Sequence, residues 1–335
     1  MNVSRKLKFG VLGCSRVAGR GVVPAILNSA FSELGIIAGR SPEEAKEFGA
    51  QFGCGSFGTY EDVLKSDVDV VYVSLPNALH EEWSVKAANA GKHVYCEKPA
   101  GTSYAAAKSM VEAAKANRVR LIEGLMFRYH PQNARVKELI RNGALGEVLK
   151  FDGSFGYAMP GREESQMKRE SQGGSLHACG VYPVAASRIV FGEEPMSVFC
   201  TLKIDEASGV DLEAHLLLKY SSERTAFVSS LFGSYYESTY SVLGTKARVR
   251  LPRAYAVPRD METKMFFDAD DRVTETVFPP ADHFKLLLDD FCGEILKGKE
   301  SAIDYEGDLL AQAKVIEAAR ISAEKGCPVN ISKII

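Results

Sequence analysis

Lys8-Phe9-Gly10-Val11-Leu12-Gly13-Cys14-Ser15-Arg16-Val17-Ala18 is the stretch that decides the fold. Its first half reads as a short buried strand ending at Gly13, and an apolar-periodic segment follows to about Ala30. Between them lies G-x-G-x-x-A, with Ser15 in place of the middle glycine. Gly13 permits the tight turn, a small residue at 15 lets backbone approach a pyrophosphate, and Ala18 lets helix and sheet pack closely. Amide groups at the start of the helix then meet phosphate charge. Ser15 keeps most of that approach and adds a hydroxyl donor. The stretch predicts an α/β chain that opens with a dinucleotide-binding Rossmann domain.

The elements that follow keep the strand–helix alternation. Ser32 to Ala38 reads as a second strand, ending in Gly39-Arg40-Ser41-Pro42. An NAD site ordinarily carries Asp or Glu at such a strand end, to accept from the ribose 2′-hydroxyl, and none stands at this one. Arg40 instead offers a guanidinium suited to the 2′-phosphate of NADP. Ser41 either joins that contact or caps the next helix, with Pro42 at its first position. Thr59-Tyr60-Glu61-Asp62 fits a capping box. Asp69-Val70-Val71-Tyr72-Val73 is a continuous apolar strand of the kind parallel sheets bury. It runs out into Ser74-Leu75-Pro76-Asn77-Ala78-Leu79-His80, on the ligand side of the sheet. Asn77 fits a nicotinamide-ribose contact or a turn cap, and His80 fits a site wall or a structural hydrogen bonder. Gly91 to Cys96 supplies the strand that leads to Glu97-Lys98-Pro99. A lysine at a strand's carboxyl end in an open α/β sheet lies where ligands bind. Lys98 is therefore the first catalytic candidate, a charged donor aimed at a substrate oxygen. An alanine-rich helix over 103–117 and a strand over 119–124 complete this part.

Composition narrows the class. The chain has 335 residues, 46% hydrophobic and 25% charged, which suits about two globular domains with sizeable cores. A formal net charge of -2 gives no basic field for nucleic acid or a membrane surface. The seven cysteines are odd in number and none sits in a CxxC pair. This points to a reducing, cytoplasmic setting and away from a disulfide scaffold or a clustered metal site. The N-terminus lacks the apolar core of a secretory leader, and no apolar run approaches the roughly 18 residues of a membrane span.

From about Leu125 the pattern changes, which places the dinucleotide-binding domain at 1–125 and an α+β domain at 126–335. Pro131 to Arg141 should be helical and Val148 to Gly156 a strand. Tyr157 to Gln172 reads as a polar loop, long enough to overhang a ligand. Strands at 197–204, 212–220, 225–231, 235–243, 247–251, 264–267 and 272–278 predict an open, mostly antiparallel sheet. Asp282-His283 starts another helix, and 304–324 is a long amphipathic one.

Gly13 to Ala18, Arg40-Ser41, Leu75-Pro76-Asn77 with His80, Glu97-Lys98-Pro99 and Phe127-Arg128-Tyr129-His130-Pro131 together resemble the glucose–fructose oxidoreductase/inositol dehydrogenase family. Within it they resemble the branch with NADP-dependent xylose and dihydrodiol dehydrogenases and nucleotide-sugar 3-ketoreductases. The resemblance implies that Lys98 approaches both nicotinamide and the reacting oxygen, and that a cis bond precedes Pro99. It implies a cofactor set of Gly13, Ser15, Arg16, Val17, Arg40, Ser41, Leu75, Pro76, Asn77, His80, Glu97 and Lys98.

Gly173 to Pro183 resembles the family's glycine-rich turn into a substrate-facing helix. Many members carry an aspartate four residues before the catalytic residue. Tyr182 keeps the tyrosine, but the aspartate position is Ala178. Spacing of four puts both on one helix face, and His177 points about 100° away. A lysine cation near Tyr182 would favour its phenolate or strengthen its hydrogen bond. Lys98 and Tyr182 are thus the expected catalytic pair, with Lys98, Arg128, Tyr157, His177, Tyr182 and His283 as substrate contacts. The resemblance also implies a homodimer or homotetramer through the open sheet.

The expected function is NADP(H)-dependent hydride transfer between nicotinamide and a hydroxyl or carbonyl carbon of a sugar or cyclic diol. A nucleotide-sugar ketoreductase is one alternative, and reduction of a biliverdin-like or imine substrate is another. Loss of the aspartate at Ala178 keeps open a catalytically impaired NADP-binding sensor or interaction protein.

Overall fold

The structure is a computed structural model that describes residues 5–298 and 303–335. Residues 1–4, part of the stretch on which the absence of a leader is read, lie outside the described residues. The chain divides into two compact units. The first holds Met1–Gly101, Ala105–Met126 and Phe284–Leu310, and the second holds Thr102–Tyr104, Phe127–His283 and Ala311–Ile335. The later segment Phe284–Leu310 thus returns to the first unit, which a contiguous division at 125 does not provide for.

The first unit is built on six parallel strands: β1 (Leu7–Leu12), β2 (Ser32–Ala38), β3 (Phe57–Gly58), β4 (Val70–Val73), β5 (His93–Cys96) and β6 (Leu121–Glu123). Their order is β3-β2-β1-β4-β5-β6, so the direction of winding reverses between β1 and β4. Ligands of open α/β sheets bind outside the carboxyl ends at that reversal. The inner strands are apolar because both faces are covered, and Val11, Leu12, Val70 through Val73 and Val94 through Cys96 are all buried.

The connecting helices are α1 (Val23–Asn28), α2 (Pro42–Ala50), α3 (Tyr60–Lys65), α4 (His80–Asn89) and α5 (Tyr104–Ala116). Thr59 and Asp62 make the expected capping box before α3. The fingerprint helix differs from expectation, because a π-helical turn spans Ala18–Val22 before α1. Small residues are required there: a Cβ on Gly19 would stand 3.2 Å from the Phe48 ring, and one on Gly21 2.8 Å from the Phe284 ring. An ion pair between Arg120 and Glu306, at 2.9 Å, ties the segment before β6 to the helix Tyr305–Lys325.

The second unit carries nine strands: β7 (Val148–Tyr157), β8 (Ser197–Ile204), β9 (Asp211–Lys219), β10 (Thr225–Phe232), β11 (Glu237–Gly244), β12 (Arg248–Leu251), β13 (Thr263–Ala269), β14 (Arg272–Phe278) and β15 (Val329–Asn330). The order is β14-β13-β12-β11-β7-β10-β9-β8-β15. Only β7 and β10 pair in parallel; the other described pairs are antiparallel. Alternation sorts the faces, as in β10, where Ala226, Val228, Ser230 and Phe232 are buried and Phe227 is exposed.

Helices α6 (Pro131–Arg141) and α7 (Val181–Phe191) belong to this unit, and α7 packs on β7 and β10. The α7 helix is buried on nearly every side, and its polar Ser187 and Arg188 are bonded there by Tyr220 and by Glu194 and Gln312. The 157–172 segment is more ordered than a polar loop suggests. It holds a short helical turn, Ser165–Met167, with Met167 buried, and Gln166 O accepts from Gly174 N at 2.9 Å. Among the described residues, no helix is long and apolar enough to cross a membrane.

Candidate active site

At the carboxyl end of β1, Gly13 has φ +98°, a conformation that L side chains rarely adopt. A Cβ there would stand 2.6 Å from Ser74 O and 3.1 Å from Leu75 Cδ2. The turn therefore lies directly against the end of β4, and only glycine leaves that room. Ser15 Oγ hydrogen-bonds Ser74 Oγ and accepts from Ala18 N at 3.0 Å. Ser15 thus joins the two strand ends at the winding reversal and caps the helix start. Arg16 is exposed at this turn and Val17 half-buried beside it. A glycine cradle that a Cβ would fill, opening onto a helix start, fits the pyrophosphate of a dinucleotide.

At the end of β2, Arg40 is largely exposed and its Nη2 pairs with Glu44 Oε1 at 2.7 Å. Glu44 Oε2 also accepts from Arg40 N at 2.7 Å, and Ser41 Oγ accepts from Glu44 N at 3.2 Å. Ser41 therefore acts as the helix cap, leaving its role toward phosphate unsupported by its present bonding. The Arg40 guanidinium holds the Glu44 carboxyl below the usual carboxylate range. An acid does reach this strand end, from the first turn of α2. The Ser41-x-x-Glu44 spacing, a capping-box signature, was the signal for it.

Lys98 follows β5 in a half-buried position, with the Lys98–Pro99 peptide bond cis, as the family resemblance implies. The residues around it are held by a buried scaffold. His80 Nδ1 lies 2.7 Å from Pro99 O, and its Nε2 lies 2.8 Å from Leu75 O. Burial pushes the His80 pKa below its ordinary value, so the neutral ring donates to one of these carbonyls at a time. A carbonyl thus flanks each ring nitrogen, and one of them accepts the ring N–H. His80 bridges the turns after β4 and β5, as the structural hydrogen bonder among its two expected readings would.

Glu97 is buried and accepts from Tyr72 Oη at 2.8 Å, and burial raises its pKa. Its side chain is thereby tied to the buried Tyr72. Glu123, which the sequence reading did not single out, accepts from Ala100 N at 2.9 Å and fixes the chain just past Pro99. Leu75 is buried against Gly13, Pro76 is exposed, and the half-buried Asn77 opens a short helical turn.

In the second unit, Tyr182 lies in the first turn of α7 and its residue is 5% exposed. Its ring packs edge-on against Phe127 and Phe155, with centroids 5.9 and 5.2 Å away, and lies 5.9 Å from the Tyr255 ring. This cage fixes the ring axis. A π-helical turn, Leu176–Gly180, precedes α7, so Ala178 and Tyr182 are not one regular α-helical turn apart. The half-buried Asp211 holds this entry, accepting from Leu176 N at 2.7 Å and from Ser175 Oγ at 2.9 Å. Asp211 sits on another strand, and no local pattern announces it.

The remaining substrate candidates separate. Tyr157 Oη donates to Gln166 Oε1 at 2.6 Å and anchors the segment beyond β7. Arg128 is half-buried in the turn Met126–Tyr129. His177 is buried, with Nδ1 at 2.9 Å from Gln172 O and Nε2 at 3.4 Å from Arg320 Nη1. His283 is also buried, its ring 5.9 Å from that of His130. Burial drives their pKa values down, to about 3 for His283 and about 4 for His130. Two neutral rings thus pack together in a buried position.

Comparisons with known proteins agree with this geometry. The model described as "Oxidoreductase family, NAD-binding Rossmann fold" matches residues 7–125, and the "GFO/IDH/MocA C-terminal domain" model matches residues 133–250. A D-xylose 1-dehydrogenase (NADP(+)) from Haloferax volcanii is 30% identical over 328 residues, 97% of this chain and 100% of that protein. The solved structure of a 3-ketoreductase from Actinomadura kijaniata, in complex with NADP and TDP-benzene, superposes with a TM-score of 0.90 at 30% identity, covering 95% of this chain and 98% of the other. An aldose-aldose oxidoreductase from Caulobacter crescentus, complexed with glycerol, gives 0.89 at 29% identity, covering 97% and 100%.

Proposed function

The chain belongs to the GFO/IDH/MocA oxidoreductase family, and from that premise we propose that it is an NADP(H)-dependent enzyme acting on a sugar or cyclic diol. The observation that carries this reading is end-to-end similarity to NADP-dependent sugar oxidoreductases, joined to a lysine at the carboxyl end of β5. The bound nicotinamide supplies or takes up a hydride.

The chain's own residues hold the reactants and move the proton. Gly13, Ser15 and the helix start bind the pyrophosphate, and Arg40 meets the 2′-phosphate. Lys98 places an ammonium on the reacting oxygen and stabilises the charge that develops there. Tyr182 gives its phenolic proton to that oxygen in reduction and takes one back in oxidation. Lys98 and Tyr182 are assigned from the family motif, each at the position its own unit gives it. The phenyl cage restricts Tyr182 to narrow motion, which suits a proton donor.

A nucleotide-linked sugar is the second reading, favoured by the TDP-benzene complex of the Actinomadura kijaniata 3-ketoreductase. The seven free thiols suit a cytoplasmic setting. The outward row Phe199, Leu217 and Phe227, paired across β8, β9 and β10, suits a homo-oligomer built on the open sheet face. The test is a panel of free sugars, nucleotide-linked sugars and aromatic dihydrodiols with NADP or NADPH, read at the nicotinamide absorbance. Turnover of a free or nucleotide-linked sugar or a diol supports the proposal and ranks its two substrate readings. NADPH binding with no turnover of any member contradicts it in favour of an impaired sensor.

A further inference from the structure

The Glu44 carboxylate stands where the strand end lacks an acid. Its Oε2 lies 3.0 Å from the point a Cβ on Gly39 would occupy, and Cys14 Sγ, from the fingerprint turn, lies 3.2 Å from the same point. The carboxylate thus fills the volume that an acidic side chain at position 39 would take, beside the turn that cradles pyrophosphate. An acid placed there accepts a hydrogen bond from the ribose 2′-hydroxyl of NAD. The same carboxylate holds Arg40, whose guanidinium is otherwise in solvent. An exposed pair of this kind opens at little cost, so Arg40 remains available to a 2′-phosphate. Once Arg40 has turned to that phosphate, Glu44 stays behind as a like charge next to it.

Resting on the nucleotide chemistry proposed above, we infer that Glu44 is a specificity-determining residue: it accepts the ribose 2′-hydroxyl of NAD(H) and restrains Arg40, so the chain uses NAD(H) as well as NADP(H). A capping role alone would make no such distinction. Gln at this position keeps one acceptor oxygen for the Arg40 N–H, while the charge is lost and the other oxygen, which accepts from the guanidinium, becomes an amide donor.

The test is direct binding of NADPH and NADH, followed by nucleotide fluorescence, to the wild-type chain and to the Glu44→Gln and Arg40→Ala variants. Wild type should bind both nucleotides. Glu44→Gln should tighten NADPH and weaken NADH, moving the ratio of dissociation constants by about tenfold. Arg40→Ala should move the ratio the other way. An unchanged ratio in Glu44→Gln, or equal weakening of both nucleotides, overturns the inference and leaves Glu44 a cap. Wild type that binds NADPH but not NADH also overturns it, while the proposed function stands. Wild type that binds neither overturns both.

Discussion

A lysine gains catalytic meaning from the backbone that carries it, and just past Lys98 that backbone is held by the His80 ring and the Glu123 carboxylate. His80 ties Pro99 O and Leu75 O, and Glu123 holds Ala100 N. Tyr182 is fixed instead by aromatic rings, so its hydroxyl can be removed without disturbing the cage. Tyr182→Phe should lower kcat by about 10²-fold, as loss of a positioned proton donor does. Assays of folded variant should then show NADPH affinity within a few-fold of wild type, and an unaltered kcat would remove Tyr182 from the proton route. Arg40→Asp should weaken NADPH binding about tenfold, and equal affinity for NADPH in variant and wild type would reject the 2′-phosphate contact. Gly13, Ser15, Arg40 and Lys98 were legible in the sequence because a backbone turn and a strand end fix them locally. The settings of the histidines were not legible in this way. His80 and His177 each face a carbonyl five residues away and His283 packs on the ring of His130, and a sequence shows a polar ring without showing that it is buried.

Two π-helical turns, Ala18–Val22 and Leu176–Gly180, each precede a helix that begins at a candidate site. Periodicity found the first helix and the family resemblance the second, but neither showed the extra residue in each turn, because one inserted residue barely alters an apolar pattern over so short a span. Helix caps read better: Thr59 with Asp62 stood as expected, and Ser41 signalled Glu44 without showing where its carboxylate would lie. The His130–His283 contact brings the cap of α6 against the start of the helix His283–Lys297. It carries a pH dependence. Both rings are neutral in the folded chain, with pKa values of about 4 and about 3, against roughly 6.5 when unfolded. Below about pH 6.5 the unfolded chain binds more protons, so this contribution to stability is full above that value and is lost as pH falls toward 4 and 3. Melting temperature should therefore drop between about pH 6.5 and 4.5, corresponding to a loss on the order of 4 kcal/mol for the two rings together. His283→Phe should flatten that slope, and parallel melting curves for the two chains across the range would show that the pair does not titrate.

The strand–helix alternation up to 124 and the strand-rich pattern after 196 made the two-sheet plan legible from the sequence. The return of Phe284–Leu310 to the first unit was not, because an amphipathic helix carries an apolar face without naming the sheet it covers. The open sheet face leads to a prediction for the whole molecule. Phe227→Glu, at the exposed β10 end of the outward row, should shift the mass measured by light scattering from oligomer to monomer, and an unchanged oligomer would move the interface elsewhere. The claim that the chain is a hydride-transferring enzyme is tested most directly at Lys98. NADPH-linked turnover on the best sugar or diol substrate should be compared for wild type and Lys98→Ala, with NADPH affinity measured beside it. The account predicts a fall in kcat of about 10³-fold or more, with NADPH affinity within a few-fold of wild type. Turnover of Lys98→Ala at the wild-type rate would contradict it.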